Sequence, residues 1–341
     1  MKKVAVTGAS GHIGANLVRE LLLRGYEVTA LVRQSSAALD GLDVSRVEGS
    51  LEDQQSLSRA FKGVEQVYHL AAFISIQSGH KERLERVNVE GTRNVLSVCQ
   101  AEGVSTLVHF SSIHALELEP LDKAVTEKNP LLGAGAGRGA DYDHSKARAD
   151  RLIRLNDHEA LQTRIVYPTA VFGPNDFRSS LFGQAIQKLA HGQLPALVAG
   201  GFDWVDARDV AWGAVEAAEK GKDGDRYLLS GQYLEMHAVA AVIAELTGVA
   251  APRFTCPAGL AALSAPLLGL WARLRGETPI YTRDSLAALS ANKEMSHARA
   301  ARLLGYQPRP FRQSMRDALN FYSRQNDSGA TGGEGRRRDG S

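Results

Sequence analysis

The chain has 341 residues, of which 44% are hydrophobic and 23% charged, a composition typical of a globular protein with a substantial core. A net charge of +2 with scattered basic residues argues against nucleic-acid binding. The one dense basic cluster, Arg336-Arg337-Arg338, lies in a polar, glycine-rich tail that is predicted to be disordered from about Gln325.

Short apolar runs alternate with helical periodicities through the first half, which predicts an α/β fold with a doubly wound parallel sheet. The predicted strands are Lys3–Thr7, Glu27–Val32, Val44–Glu48, Gln66–Leu70, Thr106–Phe110, Gln162–Tyr167 and Arg226–Leu229. The predicted helices are His12–Arg24, Ser56–Phe61, Lys81–Glu102, the segment that carries Tyr142 and Lys146, and Asp206–Lys220. Beyond Pro168 the pattern mixes loops with isolated helices, and residues 233–322 are expected to be mainly helical, covering the carboxyl edge of the sheet.

A glycine-rich turn follows the first predicted strand. Gly8, Gly11 and Gly14 have the G-x-x-G-x-x-G spacing, in which the glycines permit a sharp turn, backbone approach to a pyrophosphate and close helix packing. Because the turn stands between a strand and a helix, it predicts a Rossmann dinucleotide-binding domain. We expect cofactor contacts from Thr7, Gly8, Ser10, Gly11, His12, Ile13 and Gly14.

The end of the second strand indicates which dinucleotide binds. NAD enzymes usually place an acidic residue about 20 residues after the glycines, to bind the ribose hydroxyls. Here the chain reads Leu31-Val32-Arg33-Gln34-Ser35-Ser36, and no acid occurs before Asp40. Arg33 can instead clamp a 2′-phosphate through its fork of donors, unless it is an ordinary surface arginine. We therefore expect NADP(H) to be preferred, with NAD(H) as the alternative.

Tyr142 and Lys146 lie four residues apart, on one face of a predicted helix. A lysine ammonium beside a phenol favours the phenolate, so we expect the pKa of Tyr142 to be lowered from about 10 toward neutral pH. Such a tyrosine can give a proton to a carbonyl oxygen while a nicotinamide supplies hydride to the carbon. Together with the glycine turn, the pair indicates a dinucleotide-dependent enzyme.

With both motifs present, residues 2 to 322 resemble the extended short-chain dehydrogenase/reductase family, also called the NAD-dependent epimerase/dehydratase family. Four further blocks carry the resemblance: Gly49-Ser50-Leu51-Glu52-Asp53, Val67-Tyr68-His69-Leu70-Ala71-Ala72, Asn88 to Val95, and Pro168-Thr169-Ala170-Val171-Phe172-Gly173-Pro174. The resemblance implies catalytic roles for Ser112, Tyr142 and Lys146, with Asn88 bracing neighbouring loops. It also implies cofactor contacts from Ser50, Leu51, Leu70, Ala71, Ala72, Ser111, Tyr142, Lys146, Pro168 and Val171.

The resemblance covers several reactions. Dehydratases usually place Asp-Glu after the catalytic hydroxyl, where this chain has Ile113-His114, and epimerases usually hold NAD, which conflicts with Arg33. The block Pro168–Pro174 is similar to dihydroflavonol reductases and hydroxysteroid dehydrogenases. Together with Arg33 and the apolar run Ala258–Trp271, this similarity implies an NADP(H)-dependent oxidoreductase with Tyr142 as general acid/base. Such an enzyme reduces a small hydrophobic ketone or aldehyde, or oxidises the alcohol.

Two alternatives stay open. The ending Ser296–Arg309 is similar to that of hopanoid-associated sugar epimerases and also to that of reductases, so a nucleotide-sugar epimerase with bound NAD is the first alternative. A cofactor-sensing regulator is the non-enzymatic alternative, although regulators of this kind lose the Tyr-Lys pair that this chain keeps.

The domain boundaries follow from the elements and the motifs. We expect residues 1–170 to form the Rossmann domain, with residues 205–230 returning to it, and residues 171–204 and 231–324 to form a smaller, mostly helical substrate-binding region before a disordered tail at 325–341. The apolar run Ala258–Trp271 is too short to span a bilayer and favours a helix lining a hydrophobic substrate pocket.

The cysteines and histidines indicate where the protein is located and whether it binds a metal. Cys99 and Cys256 form no disulfide framework and the histidines no metal-ligand spacing, so we expect a cytoplasmic protein without a metal. Its expected partner is a small-molecule substrate, and a homodimer is the assembly to test.

Overall fold

The computed structural model describes residues 1–75, 79–133, 139–257, 259, 289 and 292–331, with side chains as far as residue 325. Its strands are β1 Lys3–Thr7, β2 Glu27–Val32, β3 Ser45–Glu48, β4 Gln66–His69, β5 Thr106–Phe110, β6 Gln162–Pro168, β7 Ala170–Phe172, β8 Leu197–Val198, β9 Gly201–Asp206, β10 Asp225–Leu229, β11 Gln232–Glu235 and β12 Thr255–Cys256. Seven of them form a parallel sheet in the order β10-β6-β5-β4-β1-β2-β3, which confirms the doubly wound fold.

The helices are α1 His12–Leu23, α2 Gln54–Phe61, α3 Lys81–Leu84, α4 Gly91–Ala101, α5 Asp141–Arg154, α6 Leu181–Ala190, α7 Ala207–Lys220, α8 Met236–Thr247, α9 Ala298–Leu304 and α10 Phe311–Thr331. A π-helical segment, Glu85–Glu90, joins α3 to α4, so the predicted long helix is continuous but locally widened. The last helix continues to Thr331, beyond the predicted start of a disordered tail at Gln325. Residues 332–341 lie outside the described residues.

The core is built on both faces of the sheet because alternate residues of a strand point to opposite sides. Val4 and Val6 of β1 pack with α1 and α7, whereas Ala5 between them packs with α2 and α4 on the other face. A third hydrophobic cluster lies away from the main sheet, where Phe172 and Trp204 pack among α6, α8 and α10. This third cluster is the core of the region that follows Pro168.

Strands in that region were not predicted from the sequence. β7 pairs with β9 in parallel and β9 with β11 in antiparallel fashion, and β8 pairs with β12. These strands have two to six residues, too few for a clear alternation of apolar and polar positions. The apolar run Ala258–Trp271 falls, except for Gly259, outside the described residues.

The topology brings the predicted motifs to one edge of the sheet. The strands β1, β4, β5 and β6 are neighbours in the sheet. In this order, the glycine turn, the Leu70–Ala72 block, the pair Ser111 and Ser112, and Pro168 lie at their carboxyl ends. Among the described residues, no helix is both long enough and apolar enough to cross a membrane.

Candidate active site

The glycine turn is packed too tightly for side chains at two of its three glycines. Gly8 has a φ of +73°, and a Cβ there would lie 2.7 Å from the backbone nitrogen of Ala71. A Cβ at Gly14 would lie 2.2 Å from the carbonyl oxygen of Gly8. The helix that follows has Gly11 as its N-cap without a side-chain cap and has no acid in its first turn. The turn therefore offers backbone N–H groups to an anion, as the phosphates of a dinucleotide require.

Thr7 is fully buried and joins the ends of β1 and β4. Its hydroxyl accepts a hydrogen bond from the backbone of Ala71 (3.2 Å) and lies 2.8 Å from Nδ1 of His69. On the other side of that ring, Nε2 lies 3.0 Å from the hydroxyl of Thr92, which itself donates to the carbonyl of Asn88. His69 Nε2 must therefore donate and Nδ1 must accept from Thr7. The side chain of Thr7 therefore holds the sheet edge together, and the expected contact of this residue with the cofactor stays a prediction.

The ring of His12 is also used within the protein. Its Nε2 donates to the carbonyl oxygen of Pro174 at 3.1 Å, while Ile13 packs against the core. Nε2 of His12 is therefore already hydrogen-bonded within the protein, whereas its backbone N–H lies at the start of α1, where a phosphate would bind.

The segment after β3, which carries the expected cofactor contacts Ser50 and Leu51, is braced by its neighbours. The backbone N–H of Ser50 donates to the hydroxyl of Ser56 (3.2 Å), and Leu51 is buried against Gly91, where a Cβ would lie 2.9 Å from that of Leu51. Asn94 donates to the carbonyl of Leu51 at 2.9 Å. The segment after β3 is therefore fixed in place beside the end of β2.

Arg33 follows directly after β2 and is exposed. Asp40, the first acidic residue after the strand, pairs with Arg46 at 3.3 Å. The hydroxyl of Ser36 accepts from the backbone of Ala38, where it caps a short 3₁₀ turn. The arginine, and not an acid, is thus the charged side chain at the end of this strand.

Ser112 lies beside Tyr142, whereas Ser111 faces the interior. The hydroxyl of Ser112 lies close enough to the phenol of Tyr142 to lower its pKa, and it accepts from the backbone of His114 at 3.2 Å. Ser111 is buried, and its hydroxyl helps to lower the pKa of Asp150. The two serines therefore lie in different surroundings, and Ser112 is the one next to the phenol.

Lys146 is almost completely buried one helical turn after Tyr142. Its ammonium donates to the carbonyl oxygen of Phe110 at 2.7 Å. Burial lowers the pKa of Lys146 to about 8, and the charge of Asp150 opposes that shift.

The expected lowering of the phenol pKa is wrong for the protein as it stands. Burial raises the pKa of Tyr142, the carboxylate of Asp143 raises it further, and the nearby hydroxyl of Ser112 opposes both effects. The physical reason is desolvation, which penalises the phenolate more than the hydroxyl of Ser112 stabilises it. Tyr142 is consequently a protonated group at neutral pH, ready to donate.

Behind Lys146 lies a buried polar cluster that the sequence did not reveal. Asp150 is fully buried, accepts from the hydroxyl of Tyr167 at 2.6 Å and lies 3.5 Å from Nε2 of His109. Burial alone raises the pKa of Asp150, but His109, Ser111 and Tyr167 together lower it. Burial lowers the pKa of His109 against the opposing effect of Asp150. In the sequence, this cluster could have been suspected only from the spacing of Lys146 and Asp150, which places both residues on one face of a helix.

Asn88 and Thr169 have bracing roles. Asn88 bonds both backbone groups of Phe73 and donates to the hydroxyl of Ser145 at 2.9 Å, which confirms the structural role expected of it. Thr169 follows Pro168 and donates to Asp203 at 2.7 Å, and Val171 lies in the adjoining β7. Both residues thereby fix segments that border Tyr142 and the end of β6.

Comparison with known proteins identifies the family. Residues 4–230 match the NAD dependent epimerase/dehydratase family. The chain belongs to this family. It is 39% identical to sterol demethylase protein B of Methylococcus capsulatus, over 93% of this chain and 97% of that protein. It is 31% identical to a putative dihydroflavonol 4-reductase of Synechocystis, over 93% of each. The crystal structure of gox2253 has 31% identity and a TM-score of 0.82, covering 95% of this chain and 99% of that one.

Proposed function

We propose that this family member is an NADP(H)-dependent oxidoreductase that reduces the carbonyl of a small hydrophobic substrate, or oxidises the corresponding alcohol. The observation that carries the proposal is the contact of Ser112 with Tyr142, one helical turn from the buried ammonium of Lys146. The names of the similar proteins support a ring-containing ketone of the sterol or dihydroflavonol kind as substrate.

Each of the three side chains has a separate task in this proposal. Tyr142, protonated at neutral pH because burial raises its pKa, donates its proton to the carbonyl oxygen. Ser112 hydrogen-bonds the same oxygen as negative charge develops there. Lys146 holds the nicotinamide ribose through its ammonium, which the carbonyl of Phe110 already orients. The bound dinucleotide supplies the hydride to the carbon, so one hydride and one proton convert the ketone to the alcohol.

The cofactor preference rests on Arg33. Its exposed guanidinium stands where an NAD enzyme needs an acid, and Asp40 is paired with Arg46. A charge-assisted contact with the 2′-phosphate is worth roughly 1.5–3 kcal/mol, or about ten- to a hundredfold in affinity. Arg33 is exposed, so salt screening favours the lower end of that range.

Two titrations test the preference. The parent should bind NADPH at least about tenfold more tightly than NADH, and Arg33→Ala should lose most of that difference while its affinity for NADH stays unchanged. Arg46→Ala is the matched control, because it removes a nearby arginine that is paired with Asp40. Equal affinities of the parent for both cofactors would refute the preference.

The reaction is tested by following NADPH oxidation with a panel of sterol-derived ketones, dihydroflavonols, aldehydes and nucleotide sugars. Turnover of a ring ketone that disappears in Tyr142→Phe supports the proposal. Purified protein that carries stoichiometric NAD and interconverts nucleotide sugars would replace it with the epimerase. Cofactor binding without turnover of any class would favour a cofactor-sensing regulator.

A further inference from the structure

A segment of the region after β7, residues 173–180, lies against the glycine turn. The carbonyl oxygen of Pro174 accepts hydrogen bonds from Nε2 of His12 (3.1 Å) and Nδ2 of Asn16 (3.0 Å). Asn175 donates to the side-chain oxygen of Asn16 at 2.9 Å. Three hydrogen bonds thus fix this segment to the first two turns of α1.

The segment is anchored equally firmly on its other side. Asp176 is 1% exposed, and its carboxylate accepts from the backbone and hydroxyl of Ser180 and from the hydroxyl of Tyr322 in α10. The ring of Phe177 packs edge-on against that of Phe321, with the centroids 5.1 Å apart. The backbone between α1 and α10 therefore follows a defined path.

Within residues 173–180, the side chain of Arg178 reaches the glycine turn. Its Nη2 donates to the hydroxyl of Ser10 at 2.9 Å, across 168 positions of sequence. Arg178 is exposed and Ser10 half-buried, so the contact stands at the surface of the turn. A guanidinium has five N–H donors, and Ser10 accepts from one nitrogen.

The surroundings of Arg178 suit an anion. The N-terminus of α1 lacks a side-chain cap and has no acid in its first turn, so its backbone N–H groups present partial positive charge beside the guanidinium. A serine hydroxyl is a weak partner for a guanidinium, whereas a phosphate accepts two parallel charge-assisted hydrogen bonds.

We propose that Arg178 binds a phosphate of the dinucleotide cofactor at the glycine turn. This inference rests on the dinucleotide dependence in the proposed function and adds a residue from the region after β7 to the cofactor site. Arg178 stands at the turn after β1, whereas Arg33 stands at the end of β2, so the two cations approach the cofactor site from different elements. The region that follows the Rossmann core then contributes directly to cofactor affinity.

Equilibrium titration of Arg178→Ala, Arg178→Lys and the parent tests the proposal, with NADPH, NADH, 2′,5′-ADP and ADP as ligands. We expect Arg178→Ala to raise the dissociation constant about five- to twentyfold for ligands that carry the bound phosphate. Arg178→Lys keeps the charge and should lose less. The loss should shrink in 0.5 M salt because the site is exposed. Arg312→Ala is the matched control, since that arginine pairs with Glu245 on α8.

The four ligands distinguish the two sources of phosphate. An equal loss for all of them assigns Arg178 to the adenosine 5′-phosphate of the pyrophosphate, and a loss for every ligand except 2′,5′-ADP assigns it to the other phosphate of the pyrophosphate. A loss confined to NADPH and 2′,5′-ADP assigns it to the 2′-phosphate. Dissociation constants that stay within twofold of the parent in a folded Arg178→Ala protein overturn the proposal. The readout is binding, so a failure to reduce any ketone would refute the proposed reaction and leave this result intact.

Discussion

The buried ammonium of Lys146 predicts how cofactor affinity depends on pH. Burial lowers its pKa to about 8, so the group is charged below pH 8 and loses its charge above it. If the ribose hydroxyls accept from the charged form, affinity should be constant below about pH 7 and fall by up to tenfold per unit above pH 8. Around it, burial raises the pKa of Tyr142 and lowers those of His69 and His109, so these groups keep one protonation state in that range.

The substitution Asp150→Asn tests whether the titration of Lys146 causes this dependence of cofactor affinity on pH. Asp150 lies one helical turn from Lys146, where side chains start roughly 6 Å apart, and its charge raises the pKa of the lysine. At an effective dielectric constant of about 20, two unit charges at about 6 Å attract by about 3 kcal/mol, or about two pKa units. Removing the carboxylate should therefore move the decline in affinity to lower pH by at least about one unit.

The assay is a fluorescence titration of NADH between pH 6.5 and 9.5 at constant ionic strength. NADH is suitable because it lacks the 2′-phosphate, whose second ionisation lies near pH 6. Lys146→Met is the control, and it should bind weakly at every pH without a decline near pH 8. Thermal unfolding at each pH establishes that the Asp150→Asn protein is folded. A flat profile in the parent, or the same decline in parent and Asp150→Asn, would show that Lys146 and Asp150 do not set the pH dependence of cofactor affinity.

Four further substitutions, one pair of them compared with each other, have defined outcomes. Tyr142→Phe should lower turnover roughly 10²–10⁴-fold with a nearly unchanged cofactor dissociation constant, and retained turnover would contradict the acid–base role. Ser112→Ala should lower the rate more than Ser111→Ala, since only Ser112 lies beside the phenol; the reverse order in steady-state kinetics would show that the wrong serine was chosen. Gly14→Ala places a Cβ 2.2 Å from a backbone oxygen, so we expect loss of cofactor binding and a lower melting temperature. A melting curve and titration like those of the parent would count against this close packing.

Much of the fold could be predicted because the order of apolar residues, polar residues and glycines within a segment determines its local structure. The strands Lys3–Thr7, Glu27–Val32 and Thr106–Phe110 have the bounds predicted, since buried parallel strands are short apolar runs bounded by turn residues. The glycine spacing predicted the turn at Gly8, and helical periodicity predicted one face for Tyr142 and Lys146. These features depend on hydrogen bonding and burial within a single segment.

Tertiary structure alone decided the electrostatics of the site and its long-range contacts. Burial reverses the direction expected for the pKa of Tyr142, and Asp150 acts on Lys146 only because the sheet buries both groups. The contact of Arg178 with Ser10 joins residues 168 positions apart, through short strands and a segment without periodicity. Desolvation and charge depend on neighbours that distant parts of the chain supply, and sequence periodicity carries no information about those neighbours.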